Sequence, residues 1–467
     1  MKPYLPESDQ GCSLYGEVCC SASVWVPSDR LTNKAAFIRA ATINVVNDRT
    51  GGLTSVPLAE EVGDYVVIAR HFFSEEMWKQ KVGEWSKISL SYESFDFGDK
   101  IKPRNEDQAA AWSAFSKQSH GVLNLACGKG KTVLALKKIA QRGVPAVVIV
   151  NNSGLMDQWK ERALEFLDIT EDDIGIVQGP RAEWDKPLVI AMIHTLAKRA
   201  DTISVETRAR FGTVIFDEVH HLSAATFSQT APMFFGNRYG LTATPNREDG
   251  LEDVYYSHVG RIFYSDLAGE LEAEIYFKKV ATPTPTDDSV IKDVTGEFSA
   301  GKMYKYFSEH SARNKVILKT VESALQKGRK ILVLTHSKDH PNILLEKFLD
   351  SPCKEGYTAG AVSGDTSGEL RTKIIEDSDV TFATFGVARE GLDVAALDTL
   401  VFASPFKAWG SFQQGKGRVE RKHGNKKPPI VIVIDDYKFG PARAMCNHLR
   451  KSIRANGFKY KDLGRED

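Results

Sequence analysis

The chain has 467 residues, a hydrophobic share of 42% and a charged share of 26%, the balance of a soluble globular protein of about three domains at roughly 100–200 residues each. Its 61 basic and 61 acidic residues cancel. A uniformly basic coat is therefore excluded as the basis of polyanion binding, although a local basic lane is not. No run of about 18 apolar residues marks a membrane span. The polar start MKPYLPESDQ lacks the apolar core of a secretory signal, so the expected location is the cytoplasm. Cysteines stand at 12, 19, 20, 127, 353 and 446 with no CxxC pair, which argues for reduced thiols over a zinc or disulfide framework.

Residues 1–100 read as a small β-rich domain. Ala22–Val26, Ala41–Val46 and Asp64–Ala69 are β-branched or aromatic runs, separated by turn residues such as Asp48, Gly51 and Gly52. From about 120 the rhythm becomes strand, loop, helix. Gly121–Ala126 leads into a glycine-rich loop, and Ala146–Val150, Leu188–Met192, Thr213–Phe216 and Tyr239–Ala243 follow as buried-type strands. Leu155, Trp159, Ala163 and Phe166 fall on one helix face. The alternation predicts a doubly wound α/β domain over 101–280. A Thr-Pro-Thr-Pro connector at 281–297 precedes a second α/β domain over 281–467. Its strands are expected at Ile331–Thr335, Ala359–Val362, Val380–Thr384, Thr399–Ala403 and Pro429–Ile434.

Three clusters carry chemistry. Gly128-Lys129-Gly130-Lys131-Thr132 follows a strand and opens a helix, the context in which backbone N–H groups can cradle phosphate oxygens. Lys131 would reach the β- and γ-phosphates, and Thr132 would bind Mg²⁺. The pattern departs from the full phosphate-loop signature in having Leu125 where glycine is wanted. Asp217-Glu218-Val219-His220 follows an apolar strand. Asp217 would hold Mg²⁺ through water, and Glu218 would polarise the attacking water. His220-His221 has no third ligand at metal spacing. Gln414-Gly415-Lys416-Gly417-Arg418-Val419-Glu420-Arg421 puts two arginines three apart, on one face if helical, where guanidinium forks could clamp a triphosphate.

In this order the clusters resemble superfamily 2 helicases over residues 104–435. Thr242-Ala243-Thr244-Pro245 looks like motif III, Glu390-Gly391-Leu392-Asp393 with Thr384 upstream like motif V, and Val150–Ser153 with Gln158-Trp159 like motif Ia. Ile193–Leu196 is similar to motif Ic, and Val362-Ser363-Gly364 to motif IVa. The resemblance implies two RecA-like motor domains in tandem, with ATP and Mg²⁺ as cofactors. It assigns Lys131, Asp217, Glu218, Gln414, Arg418 and Arg421 to catalysis. The same resemblance assigns Arg104, Gln108, Gly128, Gly130, Lys131, Thr132, His220, Gly391 and Asp393 to the nucleotide, and Thr132 and Asp217 to the metal. Ser153, Thr195, Gly364 and Thr384 would contact a nucleic-acid strand.

The acidic box is similar to the DEAH type, in which the histidine senses the γ-phosphate and contacts Gln414. Arg247-Glu248-Asp249 resembles a short motif of XPB-like helicases, and the plan as a whole looks like the phage UvsW-like fork-remodelling and branch-migration helicases. The expectation is a monomeric motor acting on branched, forked or duplex DNA while tracking one strand, in a prokaryote or a phage-infected host. Replication, recombination and repair are the processes that such a motor serves. An RNA helicase and a non-catalytic clamp are the alternatives; intact Lys131, Asp217, Glu218, Arg418 and Arg421 argue against the clamp. The small N-terminal domain could recognise a DNA junction or serve as a docking module. Trp409 and Phe412 read as core packing in preference to a base-stacking wedge, and the basic residues Arg443, Arg450, Lys451, Arg454, Lys459 and Lys461 read as solvated surface in preference to phosphate contacts.

Overall fold

The structure, a computed structural model, describes residues 19–46, 53–83, 86–87, 90–245, 250–364, 366, 368–389, 394–424 and 426–464. The turn residues Asp48, Gly51 and Gly52, the Arg247-Glu248-Asp249 motif and Glu390–Asp393, which includes Gly391 and Asp393, lie outside them. The chain divides into two units, residues 1–267 and 268–467. No helix among the described residues is long and apolar enough to cross a membrane.

The first unit opens with β1 (Cys19–Cys20), β2 (Ser23–Pro27), β3 (Thr42–Val46), β4 (Leu53–Pro57), β5 (Ala59–Val62), β6 (Tyr65–Ala69) and β7 (Ser86–Lys87). Five of these make a small sheet in the order β5-β6-β2-β1-β7, and β3 pairs with β4 as a hairpin. Helix Glu75–Val82, N-capped by Ser74, buries Trp78 against this sheet. The β-rich reading of the N-terminus agrees with this sheet.

The larger sheet follows, with β8 (Gly121–Leu125), β9 (Ala146–Val150), β10 (Ile174–Gln178), β11 (Arg181–Ala182), β12 (Leu188–Met192), β13 (Thr213–Phe216), β14 (Asn237–Thr242) and β15 (Ile262–Asp266). Its order is β11-β10-β12-β9-β13-β14-β8-β15. Only the two-residue edge strand β11 runs antiparallel. Strands such as Ala-Val-Val-Ile-Val at β9 are apolar throughout because helices cover both faces of a parallel sheet. Residues 90–100 already belong to this layer: Phe95 N–H donates to Gly143 O at 2.9 Å, Asp168 N–H donates to Phe97 O at 2.7 Å, and Phe97 is fully buried.

Two arginines join the small sheet to the larger one. Arg70 Nη1 donates to Ser21 O and Phe235 O, and its Nη2 to Gly236 O at 2.7 Å. Arg238, fully buried, donates to Ala22 O, Phe234 O and His258 O. Carbonyl dipoles thus take the place of water around two guanidinium groups.

The second unit has β16 (Glu274–Val280), β17 (Ile331–Thr335), β18 (Ala359–Val362), β19 (Val380–Thr384), β20 (Thr399–Phe402), β21 (Ile430–Asp436) and β22 (Tyr460–Leu463). They form an all-parallel sheet in the order β18-β19-β17-β20-β21-β16-β22. The expected boundary at 280/281 is therefore corrected to 267/268: β16 pairs with β21 and β22 and cannot be part of the first sheet. Two parallel-sheet domains in tandem, preceded by a small antiparallel-rich sheet, make this a double RecA-like α/β architecture.

Trp409 and Phe412 are packed, with ring centroids 5.4 Å apart. Phe412 is fully buried against Phe402. The basic C-terminal residues are partly committed inside this unit, Arg450 to Asp435 and Asp462 and Lys461 to Glu274.

Among the described residues, Arg313 and Asp436 form a fully buried ion pair in the second core. Asp436 accepts from Arg313 Nε at 2.8 Å, from Arg313 Nη2 at 3.0 Å and from Thr282 Oγ1. Removing one partner leaves the other charge buried without compensation, at a cost of about 3–5 kcal/mol. Asp436→Ala is accordingly expected to lower the stability of the second unit by about 3–5 kcal/mol, read from the denaturant midpoint of its unfolding. An unchanged midpoint would mean that the pair does not hold this core together.

Candidate nucleotide-binding site

The glycine loop runs from the end of β8 to helix Lys131–Arg142. Gly128 and Gly130 both have positive φ, 84° and 83°, the left-handed region that glycine tolerates without strain. Gly130 is the helix N-cap and offers no side chain. The first-turn N–H groups of this helix therefore point outward as a ready anion site. Lys131 Nζ donates to Leu125 O at 2.9 Å and to Ala126 O at 3.4 Å, which folds the ammonium over the loop.

Gly130 is needed for a second reason. A Cβ there would lie 2.2 Å from Gln108 Nε2. Gln108 accepts from the Arg104 N–H at 2.9 Å, and its Nε2 approaches Lys129 O at 3.5 Å. Arg104 Nη2 donates to Gly128 O. Arg104 and Gln108 thus brace the loop from behind, and Gln108 is buried. Lys129, which sequence reasoning left without a role, pairs with Asp266 and with Asp107 at 3.2 Å. It ties the loop to the end of β15 and to the first turn of helix Glu106–Ser116.

The acidic pair sits at the C-terminal end of β13. In sheet order β14 lies between β13 and β8, so the carboxylates, the motif III threonines and the glycine loop all emerge along one edge. Burial, and then the neighbouring Glu218 carboxylate, push the Asp217 carboxyl up to about 6, while the Trp159 hydrogen bond and the Lys131 charge pull it back. Trp159 Nε1 donates to Asp217 Oδ2 at 2.8 Å, and the Glu218 N–H donates to Oδ1 at 3.0 Å. The spacing of Trp159 showed only an apolar helix face; its indole N–H is a polar handle that the pattern did not reveal.

Glu218 is the sole non-glycine residue with positive φ, 47°, among the described residues. A left-handed glutamate costs energy and is held in place by its surroundings. His220 Nδ1 lies 3.4 Å from Glu218 Oε2 and 3.3 Å from Thr242 Oγ1. Thr242 Oγ1 also accepts from the Thr244 N–H at 3.0 Å. One short network thus joins the acidic box to the β14 end. No cluster of three or more His, Cys, Asp or Glu side chains suited to a metal occurs among the described residues. A hydrated Mg²⁺ held by a nucleotide fits better, because Asp217 and Thr132 offer oxygen donors and Mg²⁺ keeps several waters.

The proposed strand contacts fall on the same edges. Ser153 is exposed in the first turn of helix Ser153–Phe166, and Thr195 stands in helix Ile193–Arg199. Their helices follow β9 and β12, which pair in parallel with Val150 opposite Met192. Thr195 is buried, however, and its hydroxyl accepts from the Gly179 N–H at 3.0 Å. In the second unit Gly364 is exposed just beyond β18, and Thr384 ends the adjacent β19.

Helix Trp409–Val419 carries Gln414 and a buried Arg418 and ends at Val419 with Glu420 as its C-cap. Arg421 thus lies past the helix. The expectation of two arginines on one helical face is corrected: Glu420, at φ −91° and ψ 2°, leaves helical geometry before Arg421 is reached. Glu420 also accepts from the Ala273 N–H, pinning the start of β16.

Trp159 holds the orientation of a carboxylate without itself reaching a ligand, and such outer-shell partners typically contribute about 10–100-fold to metal affinity. Trp159→Phe keeps the ring and removes the N–H. It is expected to raise the Mg²⁺ concentration at half-maximal ATP hydrolysis by about 10-fold or more, measured by Mg²⁺ titration. An unchanged titration would refute the positioning role.

Residues 94–247 match the family of the type III restriction enzyme res subunit, and residues 313–423 match the helicase conserved C-terminal domain. A probable helicase, D10, of Escherichia phage T5 is 27% identical over 367 residues, 77% of each chain. A DNA 3'-5' helicase XPB of Kineococcus radiotolerans is 26% identical over 377 residues, 77% of this chain and 64% of the relative. A putative ATP-dependent RNA helicase of Acanthamoeba polyphaga mimivirus is 23% identical and covers 81% of this chain and 72% of its own. The fold of Mycobacterium smegmatis helicase Lhr, solved with ssDNA and AMP-PNP, superposes on 76% of this chain and 48% of that one, with TM-score 0.52 and 18% identity. With both halves of the motor matched and an XPB enzyme aligned across them, the chain belongs to the superfamily 2 helicases, in the XPB-like group, and is an ATP-dependent nucleic-acid helicase.

Proposed function

We propose that the chain is a DNA motor that unwinds or remodels forked and branched DNA by ATP-driven movement along one strand. The observation that carries the catalytic part is the shared edge of β8, β14 and β13, where Lys131, Thr242, Asp217, Glu218 and His220 converge. The DNA preference is supported by the XPB relatives, one named a DNA 3'-5' translocase and another a DNA 3'-5' helicase. The mimivirus relative, named as an RNA helicase, keeps RNA as the second reading.

ATP with Mg²⁺ supplies the phosphoryl group and the metal charge that its transfer requires. Glycine-loop N–H groups and Lys131 hold the phosphates. Thr132 and Asp217 would hold Mg²⁺ by their oxygens. Glu218 positions and polarises the attacking water. His220, through Thr242, carries the state of the phosphate site to motif III. By the helicase resemblance, Arg418 and Arg421 would supply guanidinium charge and Gln414 would complete that set. Gly391 and Asp393 remain assigned to the nucleotide. Ser153, Thr195, Gly364 and Thr384 contact the tracked strand chiefly at phosphates, which makes binding sequence-tolerant and salt-sensitive. Thr195 would serve through its backbone or by exchanging its bond to Gly179.

The deciding experiment is steady-state ATP hydrolysis with single-stranded, duplex, forked and four-way DNA and with matched RNA. Strong stimulation by forked or four-way DNA, absent in Lys131→Ala, is the expected result; stimulation by RNA alone would transfer the chain to the second reading. Glu218→Gln is expected to bind ATP and to lose turnover by at least about 100-fold, and wild-type turnover would refute its role. Arg421→Ala should lower kcat by about 1,000-fold with little change in KM; a change in KM alone would reduce Arg421 to a ground-state contact.

A further inference from the structure

The first unit has a second concave surface, on the edge opposite to the nucleotide site. A cleft of ≈ 930 Å³ opens between the small N-terminal sheet with helix Glu75–Val82 and the N-terminal ends of β8, β14 and β15. The segment Gln118–His120, Asn237 and Arg261 form its floor. A second hollow of ≈ 320 Å³ shares Gln118, Ser119 and Asn237 with it and extends the surface along helix Lys131–Arg142. The two adjoin along these shared residues and are treated together as a groove.

Its charge is one-sided. The overall charge of the chain is zero, yet the groove is lined by Lys79, Lys117, Lys138, Arg142 and Arg261 against the single carboxylate of Glu75. Lys79 and Lys117 are exposed and make no ion pair among the described residues. Arg261 is exposed; it lies 3.0 Å from Asp253 and over the Tyr256 ring, 5.0 Å from its centroid. Lys138 differs: its ammonium is buried and bonded to Ser116 O and Gln141 Oε1, so it fixes the wall and is not a free contact.

The groove also presents flat rings. His71 stacks on the exposed His120, with centroids 4.1 Å apart and planes at 18°. Burial lowers the proton affinity of His71 well below the ordinary imidazole value. Its Nε2 has no hydrogen-bond partner among the described residues. Phe72, Phe73 and Phe263, each partly buried, belong to the apolar part of the lining. Cationic side chains that track a backbone, interleaved with rings, suit a flexible polyanion that carries bases.

We propose that this groove is a second nucleic-acid site that holds a single-stranded DNA arm other than the strand at the motif edge. The inference rests on the reading of the chain as a DNA motor. Parallel-sheet proteins keep their catalytic ligands at the C-terminal ends of the strands, so a strand at the opposite edge is out of reach of the phosphate chemistry. Its role is to anchor one arm of a fork while the other is moved.

The test is the triple variant Lys79→Gln, Lys117→Gln and Arg261→Gln in the full chain, with binding to a fork bearing two single-stranded arms measured across a salt series. At about 0.7 per phosphate contact on a single strand, the slope of log K against log[salt] should become shallower by about 2. Fork affinity at moderate salt should fall by about 10-fold or more. Basal ATP hydrolysis without nucleic acid should be unchanged. Wild-type fork affinity and salt slope in the variant would overturn the proposal. So would a loss with RNA arms that DNA arms do not show. Failure of the motor reading is separable. A wild-type chain whose ATP hydrolysis no nucleic acid stimulates would refute that reading, while loss of the fork's salt slope in the variant would still support the groove.

Discussion

A parallel sheet covered by helices on both faces sends every strand end of one polarity to the same edge, and the chemistry of this chain depends on that constraint. Glycine loop, acidic pair and motif III threonines are far apart in sequence and meet because β8, β14 and β13 stand side by side and run the same way. The price of the arrangement is a carboxylate in a dry place. Asp217 is buried, and it stays usable because the Trp159 indole, the Glu218 amide and the Lys131 charge all act on it. Trp159 can do this because the helix after β9 lies across the adjacent strand end. A single stacking order of strands thus sets both the ligands of the site and the hydrogen bonds that orient them.

Much of this was legible in the sequence because the features concerned are local. Strands such as Leu188–Met192 and Ile331–Thr335 are continuous apolar runs and appear where expected. The glycine loop is a short string in a strand-to-helix context. Other elements carried no such signal. β15 and β22 are short and polar at several positions, and β22 reads Tyr-Lys-Asp-Leu. They are strands only because a neighbour offers a ladder. The same is true of β16, whose register with β21 runs from Glu274 opposite Ile430 to Val280 opposite Asp436. That pairing moved the domain boundary.

The candidate site divides along the same line. Residue types gave the phosphate loop and the acidic box, whereas contacts between distant segments gave the rest. Lys129 looked like a phosphate ligand's neighbour and is a brace between Asp107 and Asp266. Thr195 looked like a strand contact and already holds the Gly179 amide. The Arg421 position depended on where a helix stops, which periodicity leaves open by a residue or two. A long-range hydrogen bond leaves no trace in spacing.

The arginines that join the N-terminal sheet to the motor change what a shortened chain would be. Arg238 belongs to β14, in the middle of the helicase sheet, yet one of its carbonyl partners is Ala22. Arg70 belongs to the N-terminal sheet, yet it satisfies Phe235 and Gly236 just ahead of β14. Cutting the chain between the sheets would take the Ala22 carbonyl from the buried Arg238 and, on the same motor side, leave the Phe235 and Gly236 oxygens without Arg70. The N-terminal sheet therefore serves as part of the solvent of the motor core, and loss of activity on its deletion would reflect the integrity of β14 before it reflected any task of the deleted part.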